Sequence, residues 1–159
     1  MVEMLNALFS RFDDLTEIHG LEKIKTIGDA YMAAAGLPEE QSDHAQVIAN
    51  MALDMREVVS EFTEEFGEPL QIRIGINSGA VVAGVIGKKK FIYDLWGDTV
   101  NTAARMESHG IANEIQVTEA TYGILAETFK FEARGIQDVK GKGPMSTYIL
   151  RDTYLPGVS

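Results

Sequence analysis

Apolar residues recur at helical spacing near the start of the chain. Leu5, Leu8, Phe12 and Leu15 follow at intervals of three or four, which stacks them on one face and predicts a helix over Val2 to His19, with Gly20 as its stop. Leu21 to Ile27 and Ala30 to Ala34 read as two strands joined by Gly28-Asp29, a two-residue hairpin signal in which Gly takes positive φ. Gly36, Leu37 and Pro38 break the pattern. From His44 to Phe66 the helical period returns, with Val47, Ile48, Met51, Met55, Val58, Val59 and Phe62 on one stripe. Leu70 to Ile76 alternates, with Leu70, Ile72, Ile74 and Ile76 on one side, as a half-buried strand does. Asn77-Ser78-Gly79 then predicts a turn, and Ala80 to Ile86 a second strand completing a hairpin. Lys88 to Trp96 reads as a basic and aromatic connection, and Asp98 to Ser108 as a helix capped by Asp98. Ile115 to Val117 is a short strand and Thr118 to Glu127 a helix capped by Thr118. The remainder alternates strands around the loop Lys140-Gly-Lys-Gly143, with Tyr148 to Leu150 ending the last strand. Hairpins mixed with helical crossovers predict an α+β sheet layered with helices, without internal repeats or linkers.

The 159 residues suit one domain with one sizeable core. Hydrophobic residues make up 45% and charged residues 24%, ordinary for a globular chain. The absence of cysteine excludes disulfides, thiolate zinc sites and cysteine nucleophiles, and is compatible with a reducing compartment. No apolar run is long enough to span a bilayer, and Met1 to Ser10 lacks the basic start and apolar block of a secretory signal. The net charge of -10 disfavours a nucleic-acid surface, whose affinity rests on basic phosphate contacts. Acidic residues concentrate between Pro38 and Glu68, nine against the single Arg56, as on a solvated helix face. Basic residues gather instead at Lys88-Lys89-Lys90 and at Lys140 and Lys142, a distribution that points to a small anionic ligand. His19, His44 and His109 form no ligand or triad spacing, and the methionines read as core fillers.

Three segments carry a resemblance to a known family. Glu22-Lys-Ile-Lys-Thr-Ile-Gly-Asp-Ala-Tyr-Met32 is similar to a hairpin of class III adenylate and guanylate cyclase catalytic domains. Phe91-Ile-Tyr-Asp-Leu-Trp-Gly-Asp-Thr-Val-Asn-Thr-Ala-Ala-Arg-Met-Glu107 resembles their second signature, and Val139-Lys-Gly-Lys-Gly143 their phosphate loop. The resemblance covers the chain to about residue 151 and implies a ferredoxin-like, palm-like βαββαβ sheet layered with helices. Residues 1–151 would form the catalytic domain and 152–159 a loose tail. The Gly-Gly-Asp/Glu-Glu-Phe signature of diguanylate cyclases is absent.

The residues taken alone leave plainer roles open. Asp29 suits a tight turn, Lys25 the polar face of a strand, and Asn101 a capping position. Arg105 suits a surface ion pair, and Lys140 a loop. The resemblance implies that Asp29 is one of two metal-binding aspartates for Mg²⁺ or Mn²⁺. Lys25 and Asp94 would read the purine, Asn101 would position the ribose, Arg105 would stabilise charge on the α-phosphate, and Lys140 would hold the terminal phosphates. A lysine donates to adenine N1 and a carboxylate accepts from the exocyclic amine; guanine reverses both groups, so this pair argues for ATP over GTP. Asn101 and Arg105, four apart, share one helical face, and a planar guanidinium suits phosphate. The resemblance further implies a cytoplasmic adenylate cyclase whose two sites form at the interface of a head-to-tail homodimer.

One family feature is missing. The family's first strand carries the first metal aspartate in an Asp-Ile-x-Gly-Phe-Thr context, and no copy occurs in these residues. Two explanations stand: an N-terminal truncation of a longer cyclase, or a nucleotide-binding partner that cannot hold both metals. Since all other site residues are intact, truncation is expected, with low activity for the 159-residue form alone.

Overall fold

A computed structural model describes residues 2–37, 40–67, 69–86 and 92–153; for residue 2 and the strands 82–86 and 92–96 it describes the backbone alone. The chain folds into two compact units, Met1–Leu70 with Val82–Leu95 and Gln71–Val81 with Trp96–Ser159. The architecture is mixed α+β, as the pattern predicts.

The first unit begins with α1 (Val2–His19) and the hairpin of β1 (Glu22–Ile27) and β2 (Ala30–Ala34), followed by α2 (His44–Phe66). All four form where the periodicity places them. Ile27 pairs with Ala30 across the Gly28-Asp29 turn, and Gly28 alone of the two has positive φ (58°), the sign pattern of a type II′ turn. Gly67 ends α2 in the left-handed conformation, its N–H donating to Thr63 O. The buried stripe of α2 includes Ala45, Ala49, Met51, Ala52, Val58, Val59 and Phe62. Leu8 and Phe12 of α1 are buried, and Tyr31 stands edge-on to Phe12 and Phe9, with centroids 5.5 and 5.3 Å away. The polar end of Tyr31 donates to Asp13 (2.7 Å), which Lys23 also approaches at 3.0 Å. His19 meets Asp54 at 2.7 Å and Arg11 meets Glu61 at 3.1 Å, joining α1 to α2. Strands β4 (Val82–Ile86) and β5 (Ile92–Trp96) pair with each other.

The second unit is a four-stranded sheet of order β3 (Ile74–Ile76), β6 (Ile115–Thr118), β8 (Gly143–Thr153), β7 (Phe129–Val139). Strand β3 runs parallel to β6, whereas β8 is antiparallel to both β6 and β7. Helices α3 (Asp98–Ser108) and α4 (Glu119–Leu125) pack against it. Ile115, Val117, Leu125, Met106 and Leu150 are fully buried between sheet and helices. Thr118 caps α4, its hydroxyl accepting from Thr121 N.

Three expectations are corrected. The alternating segment forms a ladder only at Ile74–Ile76, and its ladder partner is β6 rather than the next strand. The reason lies at Asn77-Ser78-Gly79. Asn77 donates to Thr99 O (3.1 Å) and accepts from Thr118 Oγ1 (2.6 Å), and Ser78 meets Thr121 at 2.9 Å. Those bonds stitch the segment to the starts of α3 and α4 instead of closing a hairpin. The stretch read as a connection before Trp96 contains β5, which takes the partnership with β4. Finally Asp98 is the first helical residue of α3 rather than its cap; Gly97 occupies the cap position with φ 113°, which a glycine tolerates. Lys88, Lys89 and Lys90 lie outside the described residues.

Gly75 decides how closely α3 approaches the sheet. A Cβ there would lie 2.2 Å from Glu107 N and 2.6 Å from Ala103 O, both backbone atoms of α3. Gly75→Ala is therefore expected to cost about 3 kcal/mol or more, because helix and strand must separate. Denaturant unfolding checks this; a loss below about 1 kcal/mol contradicts the close contact.

Asp13 and Tyr31 make stability pH-dependent. Burial opposes ionisation of Asp13, but the Tyr31 hydroxyl and the Lys23 ammonium together hold its carboxyl below the ordinary value of 3.8. Burial first, and then the bond to Asp13, push the Tyr31 phenol up. Asp13 thus contributes stability above its unfolded pKa that is lost as pH falls through the folded one. Tyr31 contributes below its own unfolded pKa and loses that contribution as pH rises toward the raised value. Asp13→Asn is expected to flatten the acid limb of a melting-temperature profile below about pH 4; an unchanged limb contradicts the assignment.

Candidate active site

Helix α3 and the β7–β8 turn build the site in the second unit. Thr102 and Met106 are buried on the sheet side of α3. Asn101 is exposed and Arg105 half-buried, one turn apart on a face that borders a cavity of about 390 Å³. The turn is fixed locally. Val139 pairs with Gly143, Lys142 N donates to Val139 O (2.8 Å), and Gly141 has φ 83°. Positive φ at the third of four turn residues is the type II pattern, which favours glycine there and puts Lys140 at the second position. Lys140, Gly141 and Lys142 line the cavity opposite Asn101 and Arg105.

The cavity's charge is unlike that of the chain. Three cations, Arg105, Lys140 and Lys142, face one carboxylate, Asp98. Lys142 is committed to Asp98 through a short hydrogen-bonded ion pair. Among the described residues no acidic side chain pairs with Arg105 or Lys140. Two uncompensated cations beside an amide on an open cleft are suited to a polyanion, and the guanidinium's fork can engage two phosphate oxygens at once.

The other sequence-derived residues belong to the first unit. Lys25 sits half-buried on β1, opposite Met32 beyond a register shift between Lys23 and Lys25. Asp29 is exposed at the β1–β2 tip, and no hydrogen bond or ion pair engages its carboxylate among the described residues. Asp94 falls on β5, and its side chain lies outside the described set. The structure thus brings Asn101, Arg105 and Lys140 to one cavity and sets Lys25 and Asp29 on a single hairpin. Sequence reasoning missed the Asp98–Lys142 pair, whose members are 44 residues apart; nothing short of the fold signals it.

No group of three or more His, Asp or Glu residues suited to a metal occurs among the described residues. A lone exposed carboxylate such as Asp29 fits a hard cation whose remaining ligands are water and phosphate oxygens, the usual arrangement for Mg²⁺ at nucleotides. No helix of the described residues is long and apolar enough to cross a membrane.

A sheet packed by helices, with cations on one helix and one turn, is suited to a phosphorylated ligand. The family model described as the adenylate and guanylate cyclase catalytic domain matches residues 1–152, and the chain belongs to that family. It is 46% identical over 150 residues to an adenylate cyclase of Mycobacterium tuberculosis, covering 94% of this chain and 34% of the relative. It is 49% identical over 152 residues to the human guanylate cyclase soluble subunit beta-2, covering 94% of this chain and 25% of that protein. The chain therefore spans about a third of one relative's length and a quarter of the other's. Among solved structures it is similar to the guanylate cyclase domain of a Catenaria anguillulae protein in complex with GTP. The TM-score is 0.89 at 42% identity, covering 96% of this chain and 84% of that one. The α+β arrangement is that of the cyclase palm.

Proposed function

We propose that this domain is an adenylate cyclase, converting ATP to 3′,5′-cyclic AMP and pyrophosphate. The cavity where Asn101, Arg105 and Lys140 converge carries the reading, because it offers an amide and two uncompensated cations to a ribose and a phosphate chain. The choice of ATP rests on residue identity: Lys25 donates to adenine N1 and Asp94 accepts from the 6-amino group, whereas guanine presents the opposite groups. The relatives include both adenylate and guanylate cyclases at similar identity, so overall likeness does not decide between the nucleotides.

In the reaction the ribose 3′-hydroxyl loses its proton to solvent and its oxygen forms a bond to the α-phosphorus as the bond from that phosphorus to the bridging oxygen breaks and pyrophosphate leaves. Asn101 holds the ribose in line. Arg105 meets the negative charge that grows on the α-phosphate, which lowers the barrier because the guanidinium is already oriented. Lys140 holds the terminal phosphates and favours their departure as an anion. Asp29 would hold Mg²⁺ or Mn²⁺, which when bound supplies charge neutralisation and a more acidic 3′-hydroxyl. On this reading two copies pair head to tail, Asp29 of one serving the cleft of the other, and the domain works on the cytoplasmic side, where ATP is available.

Nucleotide choice is tested by measuring cyclic AMP and cyclic GMP formed from ATP and GTP. The 159-residue chain and a version extended at its N-terminus by the family's first strand are both assayed, the extended form being expected to be the more active. ATP is expected to be preferred, and Lys25→Glu with Asp94→Cys to move the preference toward GTP. A preference for GTP in the unaltered protein overturns the base-reading argument.

Turnover itself is tested at the hairpin tip. Asp29→Ala is expected to lower product formation by about 10²-fold or more while ATP binding stays within a few-fold. Binding without turnover in the unaltered protein, with or without the added strand, favours instead a nucleotide-binding and dimerising module.

A further inference from the structure

We propose that Gln116 and Arg134 are positioning residues that act through Arg105, holding α3 in the register that aims its guanidinium into the cavity; this rests on the cyclase reading above. Gln116 is fully buried in β6. Its amide nitrogen donates to Met106 O (2.9 Å), one of the carbonyls in the last turn of α3. Arg134 on β7 donates through one nitrogen to Gln116 Oε1 and to His109 O, each at 2.6 Å.

The two bonds from Arg134 fix which end of the Gln116 amide faces the helix. Cation, amide and helix carbonyl then form one chain of donors and acceptors, all pointing toward the negative end of the α3 dipole. A buried glutamine with a carboxamide bonded on both sides cannot rotate without leaving polar atoms unpaired. The bonds land on Met106, the residue after Arg105, and on His109, whose N–H donates to Arg105 O (2.8 Å). Gly75 admits the backbone of residues 103–107 from below, so it sets the height of the helix but offers no polar group to fix its rotation. Rotation is what the Gln116–Arg134 pair can fix. The direction of the Arg105 side chain follows it, since Arg105 itself has no side-chain anchor among the described residues.

A donor aimed at charge that develops only in the transition state is sensitive to small errors in placement. Gln116→Met keeps the volume and removes both bonds. It is expected to lower kcat about 10- to 100-fold while KM changes less than about threefold. Arg134→Lys, which keeps the charge and a donor, is expected to retain more turnover than Arg134→Met.

The deciding measurement is the kcat of cyclic-nucleotide formation in the N-terminally extended protein for Gln116→Met, Arg105→Ala and the two together, with melting followed in parallel. If Gln116 acts through Arg105, adding Gln116→Met to Arg105→Ala costs less than about twofold further. Full additivity of the two losses, or a KM rise that accounts for the whole defect, overturns the positioning role. Should Gln116→Met fail to fold, Arg134→Met in the same cycle replaces it, with the same criterion. An Arg105→Ala protein that turns over normally refutes instead the assignment of Arg105 in the cyclase reading, so the two failures are distinguishable.

Discussion

The close approach of helix α3 to strand β3 governs the second unit. At Gly75 there is no room for even a methyl group against the helix backbone. Buried Met106 and Thr102 on the same helix leave it no freedom to lift. A helix held this near the sheet has its height set by the contact, while its rotation is what the proposed Gln116–Arg134 bonds fix, and Asn101 and Arg105 lie on its outer side. The packing contact and the chemical face are two sides of one helix. The residues that build the core therefore also determine what the cavity contains.

Electrostatics supplies the second constraint. An acidic chain gains nothing in stability from leaving cations unpaired, yet among the described residues no carboxylate pairs with Arg105 or Lys140 in the cavity, while Lys142 is neutralised by Asp98. Elsewhere in the described residues arginines do find partners: Arg11 with Glu61, Arg73 with Glu107, Arg151 with Glu114 and Glu132. Exposed pairs of that kind each contribute little to stability. Their value here is comparative. Acidic residues are abundant in the chain, and on the proposed reading the cavity keeps its charge for a ligand.

Much of this was legible in the sequence. Helices α1, α2 and α3 and the β1–β2 hairpin follow from local period and turn chemistry, since each buries one stripe or closes on a glycine. The failures share a cause. The Leu70–Ile76 alternation suggests half of a hairpin because Asn77-Ser78-Gly79 after it has the composition of a turn. Its side chains are instead bound to Thr99, Thr118 and Thr121, between 22 and 43 residues away. Partners at that separation leave no periodic trace. The same holds within the site. Asn101 and Arg105 announce a shared face by their spacing, but Lys140 joins them only because β7 and β8 carry their turn back to α3, and Gln116 on β6 and Arg134 on β7 reach that helix from the sheet.

Family membership and nucleotide choice are different kinds of fact. Membership is spread over some 150 aligned positions, and ATP and GTP present the same ribose and phosphates to them. On the proposed reading, choice of base rests on two side chains, Lys25 and Asp94, because the purines differ at two edge groups whose donor and acceptor roles are exchanged. A site that leaves a buried donor facing a donor discriminates strongly, since the mismatched groups lose water without gaining a partner. Two positions can therefore outweigh the identity of all the others. Relatives of opposite specificity at 46% and 49% identity are what such an arrangement produces.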